Sequence, residues 1–120
     1  MNPTVLIVDD DKGVQETLEA ILEFEGYDVL LAGDGLEALQ RLDEMMPQLI
    51  LLDIMMPRMD GFAFAEALEK RGLRPAVPII VLTADGRAKQ KAAQARAESY
   101  LHKPFEVNNL LDEVERLVKR

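Results

Sequence analysis

Acidic residues, a threonine and a lysine follow short apolar segments of this sequence in an arrangement that could support chemistry. Asp9 and Asp10 follow an apolar segment near the start of the chain, and Asp53, Thr83 and Lys103 follow three later ones. In open α/β folds the carboxyl ends of parallel strands meet at one edge, where ligands bind. Like charges gathered there cost free energy unless a cation neutralises them. Carboxylates with a backbone carbonyl and retained water suit Mg²⁺.

Phosphoryl transfer is the chemistry that this set of side chains suits. The carboxylate of Asp53 beside Mg²⁺ and an ammonium could act as a nucleophile, since such transfers depend mainly on positioning and charge neutralisation. Lys103 would bind one phosphoryl oxygen, and the Thr83 hydroxyl with backbone N–H groups would serve another. Each residue alone has an ordinary structural explanation, because Asp and Thr are common in turns and loops. Asp11 is favoured as the cap of the first helix.

Five strand-like segments alternate with five helix-like segments along the chain. Residues 5–8, 49–52 and 79–82 are unbroken apolar runs, a pattern typical of strands buried on both faces of a parallel sheet. Weaker strands are predicted at residues 28–32 and 99–101. The alternation predicts an α/β fold with a single doubly wound, five-stranded parallel sheet and five helices on two faces.

The helices are predicted from apolar spacing and capping residues. Asp34 and Asp60 are placed to cap the second and third helices, and Gly26 and Gly72 to end the first and third. Residues 87–97 offer only alanines as apolar side chains, so this helix should dock weakly. The positions predicted to face the core are Val14, Leu18, Ile21 and Leu22 on the first helix, Leu36, Leu39 and Leu42 on the second, and Leu110, Leu111, Val114, Leu117 and Val118 on the last.

Composition and charge restrict the class of protein. A chain of 120 residues with 48% hydrophobic content is expected to form one domain, residues 1–120. It has no apolar run of membrane-spanning length and no signal core, and its lack of cysteine excludes thiolate metal sites and is compatible with a cytoplasmic location. The net charge of −8 argues against charge-driven binding to nucleic acid or to anionic membranes.

Four motifs in order resemble the receiver domain of bacterial two-component response regulators. They are VLIVDD at residues 5–10, LLDIMMPRMDG at 51–61, IIVLTA at 79–84 and YLHKPF at 100–105. The resemblance covers nearly the whole chain and implies the flavodoxin-like strand order 2-1-3-4-5. It also implies a phosphoacceptor that is not a turnover enzyme, with a histidine kinase or phosphotransfer protein as donor. A downstream partner or output domain would bind the face formed by the fourth helix, fifth strand and fifth helix.

The resemblance further implies roles for the acidic residues. Asp53 looks like the phosphoacceptor, Asp10 like a direct Mg²⁺ ligand and Asp9 like a ligand that acts through water. The Met55 carbonyl looks like a further ligand of the ion.

Other residues look like the parts that respond to phosphorylation. Thr83 and Tyr100 resemble the switch pair of the family, and Lys103 resembles its lysine, which a cis peptide joins to the residue at Pro104. Arg96 departs from the pattern, because many family members have glycine there. We therefore expect the turn before the fifth strand to be built differently.

Two other classes of protein fit the sequence less well. A degenerate receiver, which would act only as an interaction domain, is disfavoured because every residue needed for phosphoryl transfer is present. A haloacid-dehalogenase-type phosphatase would use the Asp-x-Asp pattern of residues 9–11, but it also needs a late acidic pair, and the only aspartate beyond Asp85 is Asp112. A flavodoxin-like nucleotide-binding module would present Ser, Thr and Gly donors after the first strand, whereas this loop is acidic. His102, the single histidine, is assigned no role.

Overall fold

A computed structural model of the chain describes residues 2–56 and 58–118, which form five strands alternating with five helices. The strands are β1 (Thr4–Val8), β2 (Asp28–Ala32), β3 (Leu49–Asp53), β4 (Ile79–Thr83) and β5 (Ser99–His102). The helices are α1 (Lys12–Phe24), α2 (Gly35–Glu44), α3 (Gly61–Lys70), α4 (Ala88–Gln94) and α5 (Val107–Val118). Each strand lies within one residue of its predicted bounds.

All five strands are parallel, and their order is β2-β1-β3-β4-β5. This order confirms the predicted fold class. Strand order reverses between β1 and β3, which is where ligands bind in open α/β sheets. Val8 pairs with Leu52 across this position, so the residues that follow β1 and those that end β3 meet at one edge of the sheet.

The sheet is buried on both faces by two layers of helices. Alternate strand residues point to opposite faces, and each face forms its own apolar cluster. One cluster joins strand residues to α2, α3 and α4 through Ala38, Leu42, Phe64, Leu68 and Ala92, and includes Ala95 just after α4. The other joins them to α1 and α5 through Leu18, Leu22, Leu110, Val114 and Leu117.

The capping residues predicted for the first three helices are confirmed. Asp11, Asp34 and Asp60 each accept a hydrogen bond from a backbone N–H in the first turn of the helix that follows. Gly26 and Gly72 have φ of 94° and 72°. This left-handed conformation is unfavourable for residues that have a Cβ atom. Local capping chemistry therefore sets where α1 and α3 end.

Two predictions about the helices were wrong. Leu36 was expected to be buried, but it is 42% exposed, because the buried face of α2 is formed by Gly35, Ala38 and Leu42 and the next residue along a helix points about 100° away. The fourth helix was expected over residues 87–97 and is shorter, because Arg96 adopts a left-handed φ of 56° beyond its end. Lys119 and Arg120, expected at the end of the last helix, lie outside the described residues.

Candidate functional site

Three carboxylates meet at the carboxyl edge of the sheet. Asp9 follows β1 and is fully buried, Asp53 ends β3 and is buried, and Asp10 is exposed. One oxygen of each lies within 4.8 Å of the others. All the donors are oxygen atoms, so their chemistry fits Mg²⁺. The structure thus brings together the three acidic residues that the sequence predicted.

Lys103 reaches this cluster from the loop after β5. Its ammonium lies 2.8 Å from Asp9 Oδ2 and 3.8 Å from Asp53 Oδ2. Burial opposes its charge, but the hydrogen bond from Lys103 to Asp9 and the negative charges around it raise the pKa of Lys103. The Lys103–Pro104 peptide is cis, as the resemblance implied. Lys103 therefore neutralises Asp9 more directly than Asp53.

Asp53 has a partly uncompensated negative charge. Its pKa is raised to about 6, mainly by burial and further by the charges of Asp9 and Asp10. The Met55 N–H, 3.0 Å from Asp53 Oδ1, and the charge of Lys103 act in the opposite direction. One ammonium does not balance three carboxylates, so the site favours a further cation.

Thr83 and Tyr100 differ in exposure. Thr83 ends β4 and is buried, and its hydroxyl oxygen accepts a hydrogen bond of 3.1 Å from the Asp85 N–H. The Thr83 carbonyl accepts a further bond of 2.8 Å from the Lys103 N–H. Tyr100 lies on β5 and is 42% exposed. The backbone thus connects Thr83 directly to the lysine of the site.

Gly61 fixes the backbone where the loop after β3 enters α3. Its N–H donates to the Ile54 carbonyl at 3.0 Å. A Cβ at this position would lie 2.7 Å from Ile54 Cα and 2.9 Å from the Asp53 carbonyl oxygen, a separation that only glycine permits. The residue that starts α3 therefore packs directly on the backbone that carries Asp53.

Two supporting interactions were not predicted from the sequence. Gln15 Nε2 donates to the carbonyls of Asp9 and Ala32, at 2.6 and 3.0 Å, and so fixes the end of β1. The signal available was its position one residue after Val14 on the face of α1 that packs on the sheet. Arg58 pairs with Asp34, and no sequence pattern connects these two residues.

Comparison with known proteins agrees with this geometry. A family model described as the response regulator receiver domain matches residues 5–115. The response regulator MprA of Mycobacterium tuberculosis is 42% identical over 122 residues, which cover 100% of this chain and 52% of that protein. MprA of Mycobacterium leprae is 42% identical over 118 residues, which cover 97% and 51%. The chain spans about half the length of these relatives.

Solved structures share the same fold. A putative response regulator from Chloroflexus aurantiacus has a TM-score of 0.93 and 37% identity, with 100% of both chains covered. The chemotaxis protein CheY4 of Vibrio cholerae has a TM-score of 0.88 and 32% identity, covering 98% of this chain and 99% of that one. The chain belongs to the response-regulator receiver domain family of two-component signalling. Among the described residues, no helix has the length and apolar character needed to cross a membrane.

Proposed function

We propose that this chain is the phosphoacceptor domain of a two-component phosphorelay and that Asp53 takes the phosphoryl group. The observation that carries this proposal is the buried Asp53 carboxylate between two other acids and the Lys103 ammonium. Its pKa of about 6 leaves Asp53 largely ionised at neutral pH, as a nucleophile requires. An Asp53 oxygen would form the new P–O bond while the P–N bond of a phosphohistidine donor breaks.

Asp9, Asp10, Asp53 and the Met55 carbonyl would hold Mg²⁺, with Asp9 acting through water. When bound, the ion would neutralise charge on the carboxylates and on the phosphoryl oxygens. Lys103 would give up its 2.8 Å contact with Asp9 and bind a phosphoryl oxygen. Without Lys103, the Asp9 carboxylate would need Mg²⁺ to neutralise its charge. The movement of Lys103 to the phosphoryl group would therefore be favoured only when Mg²⁺ is bound.

The response to phosphorylation would start at Thr83. Its hydroxyl would turn from the Asp85 N–H toward the phosphoryl oxygens. Tyr100 would then move inward into the space vacated by the Thr83 hydroxyl. Because α4 is short and buries only alanines, it can shift at low cost in free energy. The face formed by α4, β5 and α5 would then bind a downstream partner or an output domain.

The wider assignments follow from this role. We propose that residues 1–120 form one receiver domain that acts in the cytoplasm and accepts the phosphoryl group from a histidine kinase or a phosphotransfer protein. Slow self-dephosphorylation, rather than turnover of a substrate, would end the signal. The net charge of −8 supports protein partners over direct contact with nucleic acid or an anionic membrane.

Intact mass after incubation with acetyl phosphate, with and without Mg²⁺, tests the proposal. We expect one phosphoryl group on the wild type only with Mg²⁺, and none on Asp53→Asn. Asp11→Asn is the matched control, because Asn also caps helices and this acid takes no part in the proposed chemistry. Stable incorporation by Asp53→Asn, or phosphate mapped to Asp9, Asp10 or His102, would overturn the assignment.

Amide hydrogen exchange tests the output face. With Mg²⁺ and beryllofluoride as a phosphoryl mimic, protection should change most in residues 84–105. A change confined to the residues around the carboxylates, or found chiefly in α1 and α2, would contradict this part of the proposal.

A further inference from the structure

The segment that leads into α3 is held to the start of α2 by an ion pair. Arg58 Nε donates to Asp34 Oδ2 at 2.7 Å, and Arg58 Nη2 contacts the same oxygen. The other oxygen, Asp34 Oδ1, accepts from the Glu37 N–H at 2.9 Å and so caps α2. Both oxygens of this carboxylate are therefore used, one within α2 and one by the segment before α3.

Burial makes this pair more specific than a surface ion pair. The side chain of Asp34 is 10% exposed, whereas that of Arg58 is 62% exposed. Water reaches the carboxylate poorly, so Asp34 needs a cation at Oδ2. Arg58 supplies it from a backbone with φ of 63°, a conformation that non-glycine residues seldom adopt. The ion pair therefore holds Arg58 in a conformation that is intrinsically unfavourable.

Close backbone packing continues the same connection. The Gly35 N–H donates to the Met59 carbonyl at 3.3 Å. A Cβ on Gly35 would lie 2.7 Å from Met59 Cγ and 2.9 Å from its carbonyl oxygen. Gly61 then packs on Ile54 and on the Asp53 carbonyl, as described above. A continuous set of contacts therefore runs from α2 to the backbone beside Asp53.

We infer that Arg58 is a positioning residue for the Mg²⁺ site, acting through its ion pair with Asp34. This inference rests on the proposed function, in which the Met55 carbonyl is a metal ligand. Mg²⁺ demands near-ideal octahedral geometry, and a carbonyl on a loop meets that demand only if the loop is held. Arg58 and Asp34 hold the far side of that loop without contributing a ligand.

Titration with Mg²⁺, followed by the amide NMR shifts of Ile54 and Gly61, tests this role. Arg58→Gln keeps the Cβ, and with it the backbone cost, while removing the charge. Asp34→Asn removes the charge while keeping the cap. Both should bind Mg²⁺ about tenfold more weakly, as is typical when a partner that orients a ligand is lost. Arg58→Lys, which retains a cation for Oδ2, should recover most of the affinity.

Arg71→Gln is the matched control, because it breaks the Arg71–Asp43 pair of 3.2 Å at the other end of α3. It should leave the Mg²⁺ dissociation constant unchanged. The double variant Arg58→Gln/Asp34→Asn should bind no more weakly than either single variant, because both remove the same interaction. Melting without Mg²⁺ reports any general loss of stability separately.

The outcomes separate this inference from the proposed function. If the wild type binds no Mg²⁺, the proposed function fails and the inference fails with it. If the wild type binds Mg²⁺ and Arg58→Gln binds it equally well, only the positioning role is overturned. Equal weakening by Arg58→Gln and Arg71→Gln would also overturn it, because the effect would then be one of general stability.

Discussion

Two charged clusters lie at opposite ends of the same sheet, and they differ in charge balance. At the carboxyl ends of the strands, the three carboxylates of Asp9, Asp10 and Asp53 face the single ammonium of Lys103. At the opposite ends, the Arg74 side chain, 5% exposed, faces the single carboxylate of Glu98. The first cluster has an excess of negative charge, whereas the second is neutral.

The balanced cluster is built as a structural connection. Arg74 Nη2 donates to both Glu98 oxygens, at 2.8 and 2.9 Å, and contacts the Arg96 carbonyl. Glu98 Oε1 also accepts from the Ile79 N–H at 2.8 Å. This pair joins the segment before β4 to the turn before β5. From this difference we expect the balanced cluster to support the fold and the unbalanced cluster to favour binding of a cation.

Breaking the balanced pair should have the largest effect. Arg74→Met leaves Glu98 without its cation, and losing one partner of a buried pair costs about 3–5 kcal/mol of unfolding free energy. Urea denaturation measures this loss. The double variant Arg74→Met/Glu98→Gln should recover much of it, because no uncompensated charge remains. A loss within about 0.5 kcal/mol, typical of surface positions, would show that the pair has no structural role.

Mg²⁺ should stabilise the folded protein by binding to the carboxylate cluster at the carboxyl ends of the strands. At a hundredfold excess over its dissociation constant, a ligand raises the unfolding free energy by about 2.7 kcal/mol. Asp10→Ala should abolish this gain while raising the stability of the metal-free protein, because one like charge is gone. Arg74→Met should keep the gain, since its change lies at the other end of the sheet. An undiminished Mg²⁺ effect in Asp10→Ala would place the ion elsewhere.

The unfolding free energy without Mg²⁺ should depend on pH in a way that identifies Asp53 as one source of the excess negative charge. Its pKa is raised to about 6, above the unfolded value of about 3.9, so the folded state binds this proton more tightly. Ionisation of Asp53 therefore destabilises the protein as the pH rises through this range. Asp53→Asn should be about 1–2 kcal/mol more stable than wild type at neutral pH, after allowance for solvent screening, and equal to it only at about pH 3 or below, where the unfolded carboxyl is also protonated.

Urea denaturation of Asp53→Asn across this pH range checks the prediction. Asp112→Asn, at an exposed position of α5, controls for the general loss of one acid. A difference between Asp53→Asn and wild type that does not vary with pH would contradict the assigned cause.

The smallest expected effect concerns the turn that receives Arg74. Arg96 has a left-handed φ of 56°, and its side chain pairs with Glu69 at 3.6 Å. Both Arg96→Gly and Arg96→Ala remove this pair, but only glycine also removes the steric cost. Arg96→Gly should therefore be more stable than Arg96→Ala by about 1 kcal/mol. Thermal unfolding measures the difference, and equal stabilities would show that the turn carries no such cost.

At Arg96, the change of turn that the sequence led us to expect is not seen in the backbone. The replacement of glycine was expected to change this turn, yet the backbone keeps the conformation that glycine favours. Contacts of its carbonyl with Arg74 and of its side chain with Glu69 help to hold it. Tertiary contacts therefore override a local preference that the sequence alone expresses.

The sequence by itself determined the strands, their parallel arrangement and most helix ends. These features depend on apolar runs, on helical spacing and on caps such as Asp34 and Asp60, all of which act over a few residues. It also identified the carboxylates of the site, because the ends of parallel strands must meet at one edge.

Only the tertiary structure decided which charges meet and how closely. Lys103 lies nearer to Asp9 than to Asp53, although the sequence reasoning connected it with Asp53. The pair of Arg58 and Asp34 joins residues that are 24 positions apart. Such pairings depend on loop conformation and on the burial of each carboxylate. Because electrostatic free energy depends on distance and on solvent exposure, the folded chain was needed to distinguish the balanced cluster from the unbalanced one.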